Sequence, residues 1–209
     1  MWVLGLVTLS IFAALVGNFP GEVAVTTWVQ SWQTSWLDTV MEAVSEPGYG
    51  LLGPIILALT VVLLYLKGLR NESLLLLALA LMSNGISSAL KELIARPRPS
   101  IDFVEVFQSH RDYSFPSGHV MSYMVFLGVL AVIATARMKP GLFRIVVQGG
   151  LALGVAGIGV SRIYLGAHWF GDVVAAYAVG AALVAAAVVI ENYMTSVKRR
   201  GAAEEPLLS

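Results

Sequence analysis

The chain has 209 residues, of which 57% are hydrophobic and only 12% charged, with a mean hydropathy of +0.79. A soluble domain carries about 25% charged residues, so a deficit of this size makes lipid, not water, the main solvent. The formal net charge of +0 excludes a bulk field for nucleic acid, and the absence of cysteine excludes disulfides and thiolate chemistry.

Six apolar stretches follow in chain order, at 1–19, 51–66, 73–94, 117–136, 142–160 and 170–193. Each is near the roughly 20 residues that a helix needs to cross about 30 Å of hydrocarbon. The runs are rich in Leu and Ala and lack strand alternation, so the expected fold is all-α, a polytopic membrane protein with six transmembrane helices. The first run lacks the positive n-region of a cleaved signal peptide and reads as a span. Between spans one and two, Trp28, Trp32 and Trp36 recur every four residues, with Val25, Val29 and Val40 extending their side. That spacing predicts one interfacial helix on the leaflet surface, or else a Trp-rich connector packed on the spans. In span five, Gly150, Gly154, Gly157 and Gly159 allow close helix approach. There is no internal repeat: residues 1–200 read as one six-span domain, and 201–209 as a short polar, disordered tail.

Lys and Arg set the orientation. Lys67 and Arg70, then Arg137, Lys139 and Arg144, then Lys198, Arg199 and Arg200 all fall on one face of a six-span chain. That face is expected to be cytoplasmic, with both termini. The opposite face carries Lys91, Arg96, Arg98, Arg111 and Arg162. A compact chain with small loops and no soluble domain looks bacterial, which implies the plasma (inner) membrane and a site facing the periplasm or outside.

Three short patterns lie on that outer face. Lys91 precedes Arg98-Pro99 by six intervening residues, spelling K-x6-R-P. Either cation alone suits snorkelling to the interface as well as function. Yet the prolines of Arg96-Pro97-Arg98-Pro99 stop the helix and stiffen the segment, so a guanidinium fork and an ammonium can converge on one tetrahedral anion. Pro116-Ser117-Gly118-His119 leads into span four. Ser117 could simply be an N-cap, but a helix N-terminus also binds phosphate, with Gly118 permitting close backbone approach and His119 beside the anion. Ser161-Arg162, five residues, His168, three residues and Asp172 spell S-R-x5-H-x3-D. The His168–Asp172 spacing of i, i+4 either pins a helix end or fixes a tautomer that leaves the second ring nitrogen nucleophilic. The remaining histidine, His110, has no such partner.

Taken together, K-x6-R-P, P-S-G-H and S-R-x5-H-x3-D resemble the motifs of the type 2 phosphatidic acid phosphatase family of integral-membrane lipid phosphatases, in the superfamily of the acid phosphatases and vanadium haloperoxidases. Every motif position matches, over residues 91–172. The resemblance implies that His168 attacks phosphorus to form a phosphohistidine, that Asp172 orients and activates it, and that His119 protonates the leaving oxygen and then activates water. It also implies that Lys91, Arg98, Ser117, Gly118 and Arg162 bind the phosphate. Positioning plus charge stabilisation suffices for such a transfer. No metal or other cofactor, no nucleic acid and no obligatory protein partner is expected. The substrate is a lipid phosphate or diphosphate presented by the bilayer. Undecaprenyl diphosphate, phosphatidylglycerophosphate, phosphatidic acid, diacylglycerol pyrophosphate and phosphorylated lipid A all fit, because the motifs read phosphate and not the tail. Six apolar spans argue against a soluble haloperoxidase. A non-catalytic or transport protein of the same fold is the alternative, which degenerate motifs would favour and intact ones do not.

Overall fold

The computed structural model describes residues 19–107 and 111–204, with side chains described to Ser196. Among these residues there are seven α-helices and no strand: α1 (Glu22–Gln30), α2 (Ser35–Ser45), α3 (Leu52–Leu66), α4 (Arg70–Ile94), α5 (Gly118–Arg137), α6 (Leu142–Tyr164) and α7 (Phe170–Glu204). A 3₁₀ turn, Glu46–Gly48, joins α2 to α3. The first expected span, 1–19, lies outside the described residues apart from Phe19.

Helices α4 to α7 are each long and apolar enough to cross a bilayer. Helix α3 has 15 residues, about 22 Å at 1.5 Å per residue, which is short of the hydrocarbon thickness. It meets the length criterion only together with Ser35–Gly48, from which it bends by 61°. Pro47 in the 3₁₀ turn and Gly50 at a φ of 54° break the axis there. Four spans are therefore present among the described residues, or five if the bent pair is one span. The six expected from the sequence are not all visible.

Helix α5 is the centre of the bundle, packing against α4, α6 and α7. Its Val125, Val129 and Ile133 meet Leu75, Leu76 and Leu79 of α4 and Ala187 of α7. Nearer its N-terminus, Val120 and Met121 pack with Ile158 and Ile163 of α6 and Val173 and Ala176 of α7. The opposite surfaces stay apolar: Leu142, Phe143 and Leu153 are each about three-quarters exposed. Such a surface is stable against lipid tails. The span-five glycines divide. A Cβ on Gly154 would come within 2.8 Å of Leu127, so that glycine sets the α5–α6 approach, whereas Gly150 faces open space.

The tryptophan segment differs from the single helix expected. Trp28 lies in α1, Trp32 in the turn after it and Trp36 at the start of α2. Thr34, extended at φ −151° and ψ 149°, resets the chain, and the Ser31 hydroxyl bonds back to the Trp28 carbonyl. All three indoles are more than half exposed. Val29, expected on their side, is instead buried in the core. The periodicity was interrupted by a polar Ser-Trp-Gln-Thr run that prefers turn to helix. At the other end of the chain, α7 continues through residues 201–204, which the sequence reading assigned to a disordered tail.

Candidate active site

The C-terminal ends of α4 and α6 and the N-terminal ends of α5 and α7 meet at one end of the bundle, and all three motifs gather there. Helix α4 stops because Pro97 disfavours helical backbone at Arg96, and Ala95 takes a left-handed φ of 49°. The turn sends Arg96 inward, to 1% exposure, and Arg98 to the site.

Arg98 organises the centre. Its Nη1 donates to the Ala167 carbonyl at 2.7 Å and approaches His168 Nε2 at 3.1 Å. Its Nε and Nη2 donate to the Asp112 carbonyl oxygen and Oδ1, at 2.9 and 2.8 Å. Guanidinium can only donate, so the His168 Nε2 it faces is the acceptor and Nδ1 carries the ring proton. Lys91 Nζ donates to the Tyr113 carbonyl at 2.9 Å and pairs with Asp112 Oδ2.

The His168–Asp172 pair forms, but not as consecutive turns of one helix. His168 precedes α7, held by its N–H to the Arg162 carbonyl, and Asp172 lies in the first turn of α7. Asp172 Oδ2 accepts the Trp169 N–H at 2.9 Å, capping α7 from within. Nδ1 and Oδ2 are 3.6 Å apart, too long for a hydrogen bond. The Ser114 hydroxyl lies between them, donating to Asp172 Oδ2 and 3.5 Å from His168 Nδ1. Asp172 Oδ1 pairs with Arg96, which also pairs with Glu22. All three charged side chains are essentially excluded from solvent, so each depends on its partners for its charge. Glu22 Oε1 in turn accepts the Gly171 N–H at 2.7 Å, tying α1 to the start of α7.

Pro116-Ser117-Gly118-His119 closes on the same group. The Phe115–Pro116 peptide is cis, and the Ser117 N–H reaches the Asp172 carbonyl at 3.2 Å. Ser117 occupies the N-cap position of α5, yet its hydroxyl makes no capping bond and is fully buried with no hydrogen-bond partner. The His119 ring meets Tyr49 edge-on, with centroids 4.5 Å apart. It also lies over Gly48, where any Cβ would fall 1.9 Å from the ring. Arg162, with no exposed surface, donates to Ser45 Oγ at 3.2 Å and pairs with the Tyr49 hydroxyl. Ser161 bonds Ser45 at 2.6 Å and the Met41 carbonyl at 2.7 Å, so it serves α2 and not the anion site directly.

Lys91, Arg98, Ser117, His119, Arg162, His168 and Asp172 are thus linked through one set of contacts, with Gly118 between two of them in the chain. What sequence reasoning missed are the groups that connect it: Ser114, Arg96, Glu22, Asp112, Ser45, Gly48 and Tyr49. Ser114 and Arg96 stand beside motif residues but outside the motif spacing. The others come from segments that local pattern does not link to the site. Among the described residues, no group of three or more His, Cys, Asp or Glu is placed to hold a metal ion.

A model of the PAP2 superfamily matches residues 72–196, well over half of the chain and all of the motif residues. Phosphatidylglycerophosphatase B of Bacillus subtilis (strain 168) is 29% identical over 150 residues, which cover 69% of this chain and 70% of that protein. The crystal structure of a transmembrane PAP2 type phosphatidylglycerolphosphate phosphatase from Bacillus subtilis aligns with a TM-score of 0.75 at 21% identity, covering 92% of this chain and 95% of that one. Aquifex aeolicus LpxE aligns with a TM-score of 0.64 at 22% identity, covering 85% and 98%. At those identities the two structures speak for the fold alone. The helical architecture, the three motifs and the family match agree, and the chain belongs to the PAP2 superfamily, the type 2 phosphatidic acid phosphatases that its motifs resemble.

Proposed function

We propose that this protein is a membrane lipid phosphatase that hydrolyses a phosphomonoester or diphosphate of a lipid at the outer leaflet, without a metal, through a phosphohistidine. The observation that carries the reading is the Arg98–His168 contact: the Nε2 lone pair faces the cation that would hold the phosphoryl group, 3.1 Å away. In the proposed reaction an arriving phosphate takes the Arg98 fork, and Nε2 attacks phosphorus as the bond to the leaving oxygen breaks. His119 donates a proton to that oxygen. His119 then takes a proton from water, water oxygen attacks phosphorus, and the P–N bond breaks to release phosphate and restore neutral His168. Asp172 supports the imidazolium that forms, with Ser114 bridging the two and Arg96 and the Trp169 N–H fixing the carboxylate. Lys91, Arg98, Arg162, the Ser117 hydroxyl and the N-terminal N–H groups of α5 from Gly118 on stabilise the equatorial oxygens.

Phosphatidylglycerophosphate, named for the Bacillus subtilis relatives, is the first substrate to assay, beside undecaprenyl diphosphate, phosphatidic acid, diacylglycerol pyrophosphate and phosphorylated lipid A. Released phosphate is measured in detergent for wild type, His168→Ala and His119→Ala. His168→Ala should fall to background, and His119→Ala by about 10² to 10⁴. Acid-labile ³²P on a histidine should appear during turnover in wild type and not in His168→Ala. Near-normal release by folded His168→Ala would end the proposal.

A further inference from the structure

Asp112 lies outside every motif, yet it pairs with two of the cations that the motifs supply. Its Oδ2 pairs with Lys91 and its Oδ1 sits 2.8 Å from Arg98 Nη2, so one carboxylate bridges the two cations read as phosphate ligands. Those cations are nearly buried, with side-chain exposures of 14% and 13%, whereas the Asp112 side chain is 55% exposed. The partner that can leave into water is therefore the aspartate. Two oxygens spread across an ammonium and a guanidinium copy how two phosphoryl oxygens would be held. We infer that Asp112 is a specificity-determining residue: an internal anion that covers Lys91 and Arg98 and must be displaced by the substrate phosphate. This deepens the lipid-phosphatase reading and rests on it for the identity of the incoming anion.

The physical consequence is discrimination by charge. A tethered carboxylate competes at an effective concentration on the order of millimolar or higher. The cover lowers the affinity of every incoming anion by the same factor, and a phosphodiester headgroup, with one negative charge and the weaker hold on these cations, is left largely unbound by that loss. A terminal phosphate or diphosphate carries more charge and wins the same two cations. The bulk phosphodiester lipids of a leaflet would otherwise fill such a site. Mild acid does not remove the cover. Burial works to raise the Asp112 pKa, but hydrogen bonds and charge from Lys91 and Arg98 outweigh it and hold the carboxyl well below the usual carboxylate range. Its folded-state pKa is depressed, so the ion pairs persist as pH falls through the ordinary carboxylate range and fail only below it.

The test uses the full chain in detergent, with Asp112→Asn and Asp112→Ala, and checks that each variant elutes and melts as a folded protein. Binding of inorganic phosphate and of dimethyl phosphate, a monoanionic diester, is titrated by calorimetry, and both are assayed as inhibitors. Phosphate should bind at least tenfold more tightly to both variants, and dimethyl phosphate should gain by about the same factor, because an internal competitor lowers the affinity of every anion that displaces it equally. Unchanged or weaker phosphate binding in both folded variants would mean that Asp112 merely positions the cations, and would overturn the inference. If one substitution prevents folding, the other decides. These readouts need no turnover, so tighter anion binding in a protein that cleaves no lipid would sustain the role of Asp112 while removing the proposed activity. Active enzyme with unaltered anion binding would do the reverse.

Discussion

Arg98 uses one guanidinium for three partners, Asp112, Ala167 and His168, and thereby assigns the tautomer of the proposed nucleophile. On the other face of the ring, Ser114 is the link to Asp172 that spacing alone could not reveal. Ser114→Ala leaves Nδ1–H facing Asp172 across 3.6 Å, so kcat should fall while KM for the lipid stays near wild type. A parallel rise in KM would show that Ser114 binds substrate instead. Arg96→Met removes the counter-charge of two buried carboxylates and should cost about 3–5 kcal/mol, read as a lowered Tm in detergent. An unchanged Tm would contradict the burial of the Glu22–Arg96–Asp172 group. With Lys91, Arg98 and Arg162 supplying the positive charge, phosphate release should persist in chelator and be inhibited by vanadate. A strict requirement for added Mg²⁺ after chelation would argue against that role for the three cations.

Between elements, the geometry depends on two glycines and one buried charge cluster. Gly166, at φ 61° in the turn from α6 to α7, faces the Glu105 carbonyl so closely that a Cβ would lie 1.9 Å from it. Gly48 likewise makes room for His119. At the far end of the bundle, Arg137 of α5 pairs with Glu72 of α4 and Glu191 of α7. Both carboxylates are almost wholly buried. Arg137→Ala leaves two like charges unpaired in a low-dielectric setting, so it should destabilise by about 3–5 kcal/mol. Glu72→Gln with Glu191→Gln in the same chain should recover part of that loss. Thermal unfolding of Arg137→Ala, of the double Glu72→Gln/Glu191→Gln variant and of the triple variant checks both statements, and additive losses without recovery would exclude a shared cluster.

For the whole molecule, the quantity to measure is which way the site faces. We propose from the charge bias that Lys67, Arg70, Arg137, Lys139 and Arg144 face the cytoplasm and the motif end faces outside. The chain has no cysteine, so single cysteines report without background. Ile101→Cys, at a position 83% exposed in the loop after α4, should react with a membrane-impermeant maleimide once only the outer barrier is permeabilised. Met138→Cys, at the opposite end of α5, should react only after the inner membrane is broken. Reversed labelling would place the site on a cytoplasmic lipid pool. Helix class, the last four spans and the motif residues were legible in the sequence because apolar run length and motif spacing are local quantities. The bounds of α4, α5 and α6 fall within a few residues of the apolar runs. The broken tryptophan segment was not legible, because a three-in-one-face spacing survives across a turn that only backbone geometry reveals. Nor were Ser45, Tyr49, Glu22 and Asp112, whose contacts reach the site from 14 to 149 residues away along the chain. By itself the sequence determined that the chain is helical and lipid-solvated, and which cations and histidines are available for phosphate chemistry. Tertiary structure decided what those groups touch: which nitrogen of His168 is protonated, what holds Asp172, and which carboxylate shields Lys91 and Arg98. Hydrogen bonds and ion pairs act over a few ångströms in space, and no periodicity along the chain encodes that separation.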